Sequence, residues 1–131
     1  MSKKIIEAYY AAFNQENLEE FCSLLADNVA HDINQGKREI GMEKFKHFMQ
    51  DMFASYKEEI RNLIIFDAGD QRHYATEFMV YGTYIKSAKG LPSAKGQNYQ
   101  LAGGAFFEIE NNKITRVTNY YNLNEWLKQV E

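Results

Sequence analysis

The stretch FKHFMQDMFASYKEEIRNLIIF, residues 45–66, decides the fold. In its first half Phe45, Phe48, Met49, Met52, Phe53 and Tyr56 fall at i, i+3, i+4, i+7, i+8 and i+11, which is the spacing of one apolar face of an α-helix. From Ile60 that period is lost, and residues 60–66 are rich in the branched and aromatic side chains that suit a pleated, half-buried surface. A helix therefore hands over to a sheet in the middle of the chain.

Working back from this point, Ile5, Ile6, Tyr9, Tyr10 and Phe13 recur at helical spacing and predict an amphipathic first helix, ended by the polar run Asn14-Gln15-Glu16-Asn17. Asn17 with Glu20 resembles a capping box, and Leu18, Phe21, Leu24 and Leu25 supply the stripe of a second helix. A short strand is expected over 29–34, followed by a charged connection between Gly36 and Gly41. Working forward, strands are expected over 74–84, 99–109 and 114–123, separated by Ala68-Gly69-Asp70, the loop from Lys86 to Gln97, and Asn111-Asn112, with a short helix around Trp126. The layout is α+β, helices against one side of a curved sheet. Leu101, Ala105, Phe107 and Ile109 make one face of their strand apolar, and Ala102 and Phe106 make the other apolar too. One face meets the helices, so the other predicts a homodimer through the sheet.

A chain of 131 residues is expected to form a single domain, 1–131, with one core. Its 9 Phe, 9 Tyr and 1 Trp exceed what a compact core needs unless some of them line a cavity or an interface. The net charge is −3, with 15 basic residues scattered among 18 acidic ones, which argues against nucleic acid as a partner. Cys22 is the only cysteine; it excludes an internal disulfide and suits a reducing compartment. The N-terminus lacks a signal-peptide pattern and no apolar run is long enough to span a bilayer, so a soluble, cytoplasmic protein is expected. His31, His47 and His73 show no metal-ligand spacing, and the glycines match no dinucleotide or phosphate-loop fingerprint. Neither a metal nor a cofactor is expected.

The succession of Gly82-Thr83-Tyr84, Gly90-Leu91-Pro92-Ser93-Ala94-Lys95-Gly96, an aromatic strand and Asn112-Lys113-Ile114 resembles the SnoaL-like and ketosteroid-isomerase-related proteins. With two N-terminal helices and Ala26-Asp27-Asn28 before the first strand, the resemblance extends over nearly the whole chain. It implies the nuclear-transport-factor-2-like, or cystatin-like, fold: a cone of curved, mixed but mainly antiparallel sheet wrapped around a long helix, with a hydrophobic pocket at its open end. That fold hosts isomerases, cyclases, dehydratases, hydrolases and proteins without chemistry, so function must be argued from the site.

For catalysis the resemblance implies Tyr9, at the place of the isomerases' oxyanion-hole tyrosine, and Asp32, at the place of their catalytic aspartate if the first strand is one residue shorter. A carboxylate beside an apolar pocket becomes a better base, because burial disfavours its charged form. Strand alternation leaves a rival. Ala30, Asp32 and Asn34 share one face and Val29, His31, Ile33 and Gln35 the other, so turning Val29 and Ile33 inward would bring His31 to the pocket instead. The isomerases' second oxyanion donor falls at Gly104 or Ala105, which offer no donor, and the acid/base aspartate of SnoaL-type cyclases falls at Asn122, whose amide cannot shuttle a proton. Asn34, Gln35, Glu77, Asn119, Tyr121 and Asn122 complete the set as candidate substrate-binding residues. Because Asn119 and Tyr121 alternate with Tyr120 and Asn122, only one of these pairs can face the pocket.

Two readings follow. One is a cofactor-free isomerase or cyclase that moves a proton next to the carbonyl of a small hydrophobic, steroid- or polyketide-like compound. The other is a ligand-binding or dimeric scaffold module of the same fold, without turnover.

Overall fold

The computed structural model describes residues 2–131. The elements in order are α1 (Ser2–Asn14), α2 (Leu18–Ser23), β1 (Leu25–Asp32), β2 (Arg38–Ile40), α3 (Met42–Ser55), β3 (Tyr56–Asp67), β4 (His73–Tyr84), β5 (Gln97–Glu110), β6 (Lys113–Tyr121) and α4 (Leu123–Val130). A single six-stranded sheet runs in the order β2-β1-β6-β5-β4-β3. Every neighbouring pair is antiparallel except β1 and β6, which are parallel.

Local chemistry accounts for the boundaries. Asn17 caps α2, its side chain accepting from the Glu20 N–H at 3.1 Å. The second helix then ends at Ser23, short of Leu25, which pairs with Ile114 as the start of β1. The first strand occupies Leu25–Asp32 rather than 29–34, because the chain turns immediately after it: the Gly36 N–H donates to the Ile33 carbonyl at 2.9 Å and Gln35 sits at φ 54°. The charged connection is itself partly a strand, β2, whose Glu39 pairs with His31. Helix α3 passes into β3 without a loop, the extended backbone of Tyr56 ending the helix. The last strand stops at Tyr121 instead of 123, since the Asn122 side chain accepts from the Glu125 N–H at 3.1 Å and caps α4.

The helices lie against one face of the curved sheet. Ile6, Tyr9, Tyr10 and Phe13 of α1 and Phe45 and Met49 of α3 are buried there with Val29, Phe107 and Val117 from the strands. Tyr9 stands edge-on to Phe107 at 5.1 Å, and the Tyr10 hydroxyl shares a 2.8 Å hydrogen bond with Thr76. The other face is left open: Ile64, Phe66, Phe106 and Tyr120 are 49%, 51%, 47% and 58% exposed. A bulge at Asn62, φ 56°, shifts the pairing of β3 between Arg61 and Ile64. Beyond it Leu63 and Ile65 pack toward the core while Ile64 and Phe66 face out.

His31 belongs to the core. Its ring is 1% exposed, stacked on Phe45 with centroids 3.9 Å apart and planes 3° from parallel, and Phe48 meets its edge at 4.7 Å. Burial pushes its pKa down to about 4. The unfolded imidazole titrates at about 6.5, so the stability gained by keeping His31 neutral is whole above that pH and is lost as the pH falls toward the folded value. Urea unfolding at about pH 7.5 and pH 5 is expected to show a loss on the order of 2 kcal/mol with acid, and His31→Phe is expected to flatten it. An unchanged slope in the variant would assign the acid sensitivity elsewhere.

Candidate functional site

The parity of β1 places Asp32 on the open face of the sheet, opposite His31. Its carboxylate holds the Arg38 guanidinium in two hydrogen bonds, Nε to Oδ1 at 2.6 Å and Nη2 to Oδ2 at 3.0 Å, and accepts from the Thr118 hydroxyl at 2.5 Å. Those Arg38 hydrogen bonds above all, with Thr118 and the charges of Arg38 and Arg116, hold its pKa down to about 2. Asp32 is thus an ion-pair partner rather than a carboxylate held in an apolar pocket. Tyr9 is in the core, 5% exposed among Tyr10, Phe21 and Phe107, and burial pushes its phenol well above the ordinary value.

The six candidate binding residues divide by face. Asn119 and Tyr121 pair with Ala105 and Gly103 and so share the helix side of the sheet, whereas Tyr120 pairs with Gly104 on the open side. Glu77 lies opposite Ile64 on that open side. Asn122 is the cap of α4, its oxygen committed to the Glu125 N–H. Asn34, carried in by the turn after β1, accepts the Tyr121 backbone N–H through Oδ1 at 3.0 Å. That bond orients the amide and leaves Nδ2 buried with no hydrogen-bond partner. A groove of about 820 Å³ is lined by Asn34, Gln35, Glu77, Tyr121 and Asn122 together with Ile64. Five of the expected residues therefore meet in one groove, and neither Asp32 nor Tyr9 is among its lining residues.

A residue that the sequence reading passes over completes the helix side of this end. Glu58 follows Tyr56 and precedes Ile60 on the inward face of β3, and its pairing partner on β4 is Gly82. Gly82 pairs in turn with Tyr99 on β5, so the three stand in one row across the sheet. A Cβ at Gly82 would lie 2.3 Å from the Tyr99 ring, so only a position without a side chain lets that ring lie across β4. The Tyr99 hydroxyl donates to Glu58 Oε2 at 2.5 Å. Trp126 of α4 closes over Tyr56, Tyr84 and Tyr99 at 5.9, 5.2 and 5.9 Å. Burial raises the Glu58 carboxyl to about 7, and the Tyr99 hydrogen bond holds it back from rising further. Burial, with the Tyr84 phenol and then Tyr121 and Glu58 adding to it, lifts Tyr56 to about 12. Tyr121 is raised by burial and then by Glu58, and lowered by the Asn34 amide. Glu58, Tyr99, Tyr56, Tyr121 and Asn34 are therefore one electrostatic neighbourhood. The 42% exposure of Tyr121 opens it to solvent. Among the described residues no three His, Cys, Asp or Glu side chains are gathered as metal ligands.

Helices on one face of a curved, open, mainly antiparallel sheet define the nuclear-transport-factor-2-like class. Within it the chain belongs to the SnoaL-like family, whose domain model matches residues 6–117. It is similar to a provisionally assigned polyketide cyclase of Xanthomonas campestris, at 45% identity over 99% of this chain and 96% of that one, with a TM-score of 0.96. A second protein so assigned, from Pseudomonas putida, is 45% identical over 100% of this chain and 98% of its own, with a TM-score of 0.98. A provisionally assigned ketosteroid isomerase of Kribbella flavida shares the fold at 20% identity, over 92% of this chain and 77% of that one, with a TM-score of 0.65. No curated protein matches the chain.

The ion pair on the open face generates its own test. Asp32 loses its proton more readily folded than unfolded, so its contribution is present above about pH 4 and disappears as the pH falls through about 2. Because Arg38 is 53% exposed, the pair is worth only about 1 kcal/mol. Asp32→Asn is expected to cost about that much in urea midpoint at neutral pH and progressively less in acid. A cost of several kcal/mol, or one independent of pH, would contradict the placement.

Proposed function

We propose that the protein binds a small hydrophobic carbonyl compound at the open end of the sheet and moves a proton next to that carbonyl, without a cofactor. The observation that carries this reading is the Asn34 amide. The Tyr121 N–H holds its oxygen, and among the described residues its buried Nδ2 makes no hydrogen bond, though it lies close enough to the Tyr121 phenol to lower it. A buried donor without an acceptor is costly unless something completes it, and a ligand oxygen supplies what is missing. The apolar body of the ligand would lie against the Tyr56 and Tyr121 rings, and Nδ2 would take the negative charge that develops on oxygen as the neighbouring carbon loses its proton. The family and its cyclase-like relatives support this class of chemistry.

The second reading, a binding module without turnover, draws on Asn122. The place where SnoaL-type cyclases carry their acid/base aspartate is here a helix cap. Both readings use the same pocket, and one assay separates them. β-Tetralone is a small hydrophobic ketone with acidic protons between its ring and its carbonyl. Proton NMR in heavy water is expected to show protein-dependent loss of those protons, slowed about 10- to 100-fold in Asn34→Ala, as expected for removing a donor to a developing oxyanion. Binding without exchange would favour the module.

We further propose that two copies associate through the open face of the sheet, where Ile64, Phe66, Phe106 and Tyr120 are exposed and Phe106 meets Tyr120 edge-on. Sedimentation is expected to show a dimer for the wild type and a monomer for Phe106→Glu. A monomeric wild type would remove this proposal; in a dimer the partner would border the groove on the side that Ile64 and Tyr120 line.

A further inference from the structure

We propose that Glu58 and Tyr99, joined across the bare position of Gly82, are an acid–base centre on the helix side of this end of the sheet, next to the groove rather than among its lining residues, Glu58 accepting and returning the substrate proton and Tyr99 setting its affinity for it. This inference rests on the proton-transfer reading above and adds the group that performs the transfer.

The geometry separates two oxygens on one carboxylate. Oε2 accepts from the Tyr99 hydroxyl at 2.5 Å, which fixes the orientation of the group, while Oε1 has no hydrogen bond among the described residues. A base needs that combination: a held carboxylate with one free lone-pair face. The site is also reachable, because Glu58 and Tyr56 are half-buried and Tyr121 is exposed. Tyr121 is the residue the two share: its backbone N–H donates to Asn34 Oδ1, and Glu58 adds to the upward shift of its phenol.

In the first step Oε1 takes a proton from the carbon next to the carbonyl. The C–H bond breaks, its electron pair becomes the carbon–carbon double bond of the enolate, and the carbonyl π pair moves to oxygen, facing the Asn34 amide. In the second step Glu58 returns the proton to the same carbon or to one conjugated with it, and the carbonyl re-forms. Isomerisation follows when the two carbons differ. No oxidant, metal or water is consumed. Tyr99 acts through Glu58 and is a positioning residue. The carboxyl midpoint near 7 gives Glu58 comparable acid and base forms at neutral pH, which suits a group that must both take and give a proton.

Three variants test the centre with β-tetralone exchange as the activity readout and carbonyl-stretch infrared titration of Glu58, identified by its absence in Glu58→Gln, as the direct one. In the wild type, exchange is expected to rise with pH through about 7 and level off, in step with the infrared titration. Glu58→Gln is expected to lose exchange at least 100-fold while retaining β-tetralone binding. It should also melt higher than wild type above pH 7: the folded carboxyl resists ionising, so its contribution is lost as pH rises through its folded midpoint. Tyr99→Phe removes a hydrogen bond that favours the carboxylate, so both the exchange profile and the infrared midpoint should move upward together. Gly82→Ala should shift them in the same direction by pushing the Tyr99 ring aside, and Tyr99→Phe stands as the test if that variant does not fold.

Exchange that survives in Glu58→Gln, or an infrared midpoint in the ordinary carboxylate range, would overturn the proposal while leaving proton transfer in the pocket intact. A wild type inert toward β-tetralone would remove the proton-transfer reading and the catalytic part of Glu58 with it. Because the infrared midpoint is read without substrate, the two failures are told apart.

Discussion

The stack of the His31 imidazole on Phe45 fixes which way every other side chain of β1 points. With the two rings 3.9 Å apart, His31 and Val29 are committed to the helix side, and the two-residue period of a strand sends Ala30 and Asp32 to the other. A slip of one residue would put a carboxylate against Phe45 and an imidazole beside Arg38, which burial and charge both oppose. The turn that follows depends on the same parity. It brings Asn34 to the Tyr121 N–H and leaves an unpaired amide donor at the mouth of the aromatic interior.

On the same helix side, but toward the other edge of the sheet, the deciding feature is a missing side chain. Glu58, Gly82 and Tyr99 are pairing partners on three successive strands, and the middle position is empty, so a ring that would otherwise stand upright lies across it and reaches the carboxylate. Phe78 lies over Gly103 in the same manner, a Cβ there falling 2.6 Å from its ring. Each glycine allows one large ring to cover two strand positions. At Gly82 the covering ring carries a hydroxyl, and this turns a packing device into a hydrogen-bonded pair.

The architecture could be read from the chain because helical and strand periods are long: the stripe from Phe45 to Phe53 lies in α3 and the strand expected over 60–66 lies inside β3, although Tyr56, the last member of the helical stripe, is already the first residue of that strand. Boundaries were less legible wherever a polar side chain had two uses. Asn122 reads equally as strand and as helix cap, and only the Glu125 N–H decides between them. The site was partly legible. Asn34 and Tyr121 do come together, but the face taken by Asp32 depended on a stack between residues fourteen apart in sequence, which alternation alone leaves open. Glu58 was hidden by its neighbours. Between Lys57 and Glu59 it reads as part of a solvated charged run, and the signal that it points inward is only the alternation of Tyr56, Glu58 and Ile60. The hidden bulge at Asn62 interrupts that alternation a few residues later, so the strand as a whole has no single period to follow.

The chain's two most informative carboxylates owe their opposite characters to where the sheet puts them. Asp32, met by a guanidinium and a hydroxyl on the open face, is held down to about 2, where it is a permanent charge. Glu58, met by a single phenol among aromatic rings, is raised to about 7, which leaves both of its forms populated at neutral pH. Moving each by neighbours alone takes opposite means: several charge-assisted bonds for the one, desolvation against one neutral donor for the other. Folding gains from the first and loses from the second, because a carboxyl that resists ionisation weakens the folded state once the pH rises above the range in which the unfolded chain titrates. A fold selected for stability alone would replace Glu58 with a neutral side chain of similar size. That this one instead keeps a carboxyl there, oriented by Tyr99 and made possible by Gly82, is the physical case for seeing the pair as working groups rather than as packing.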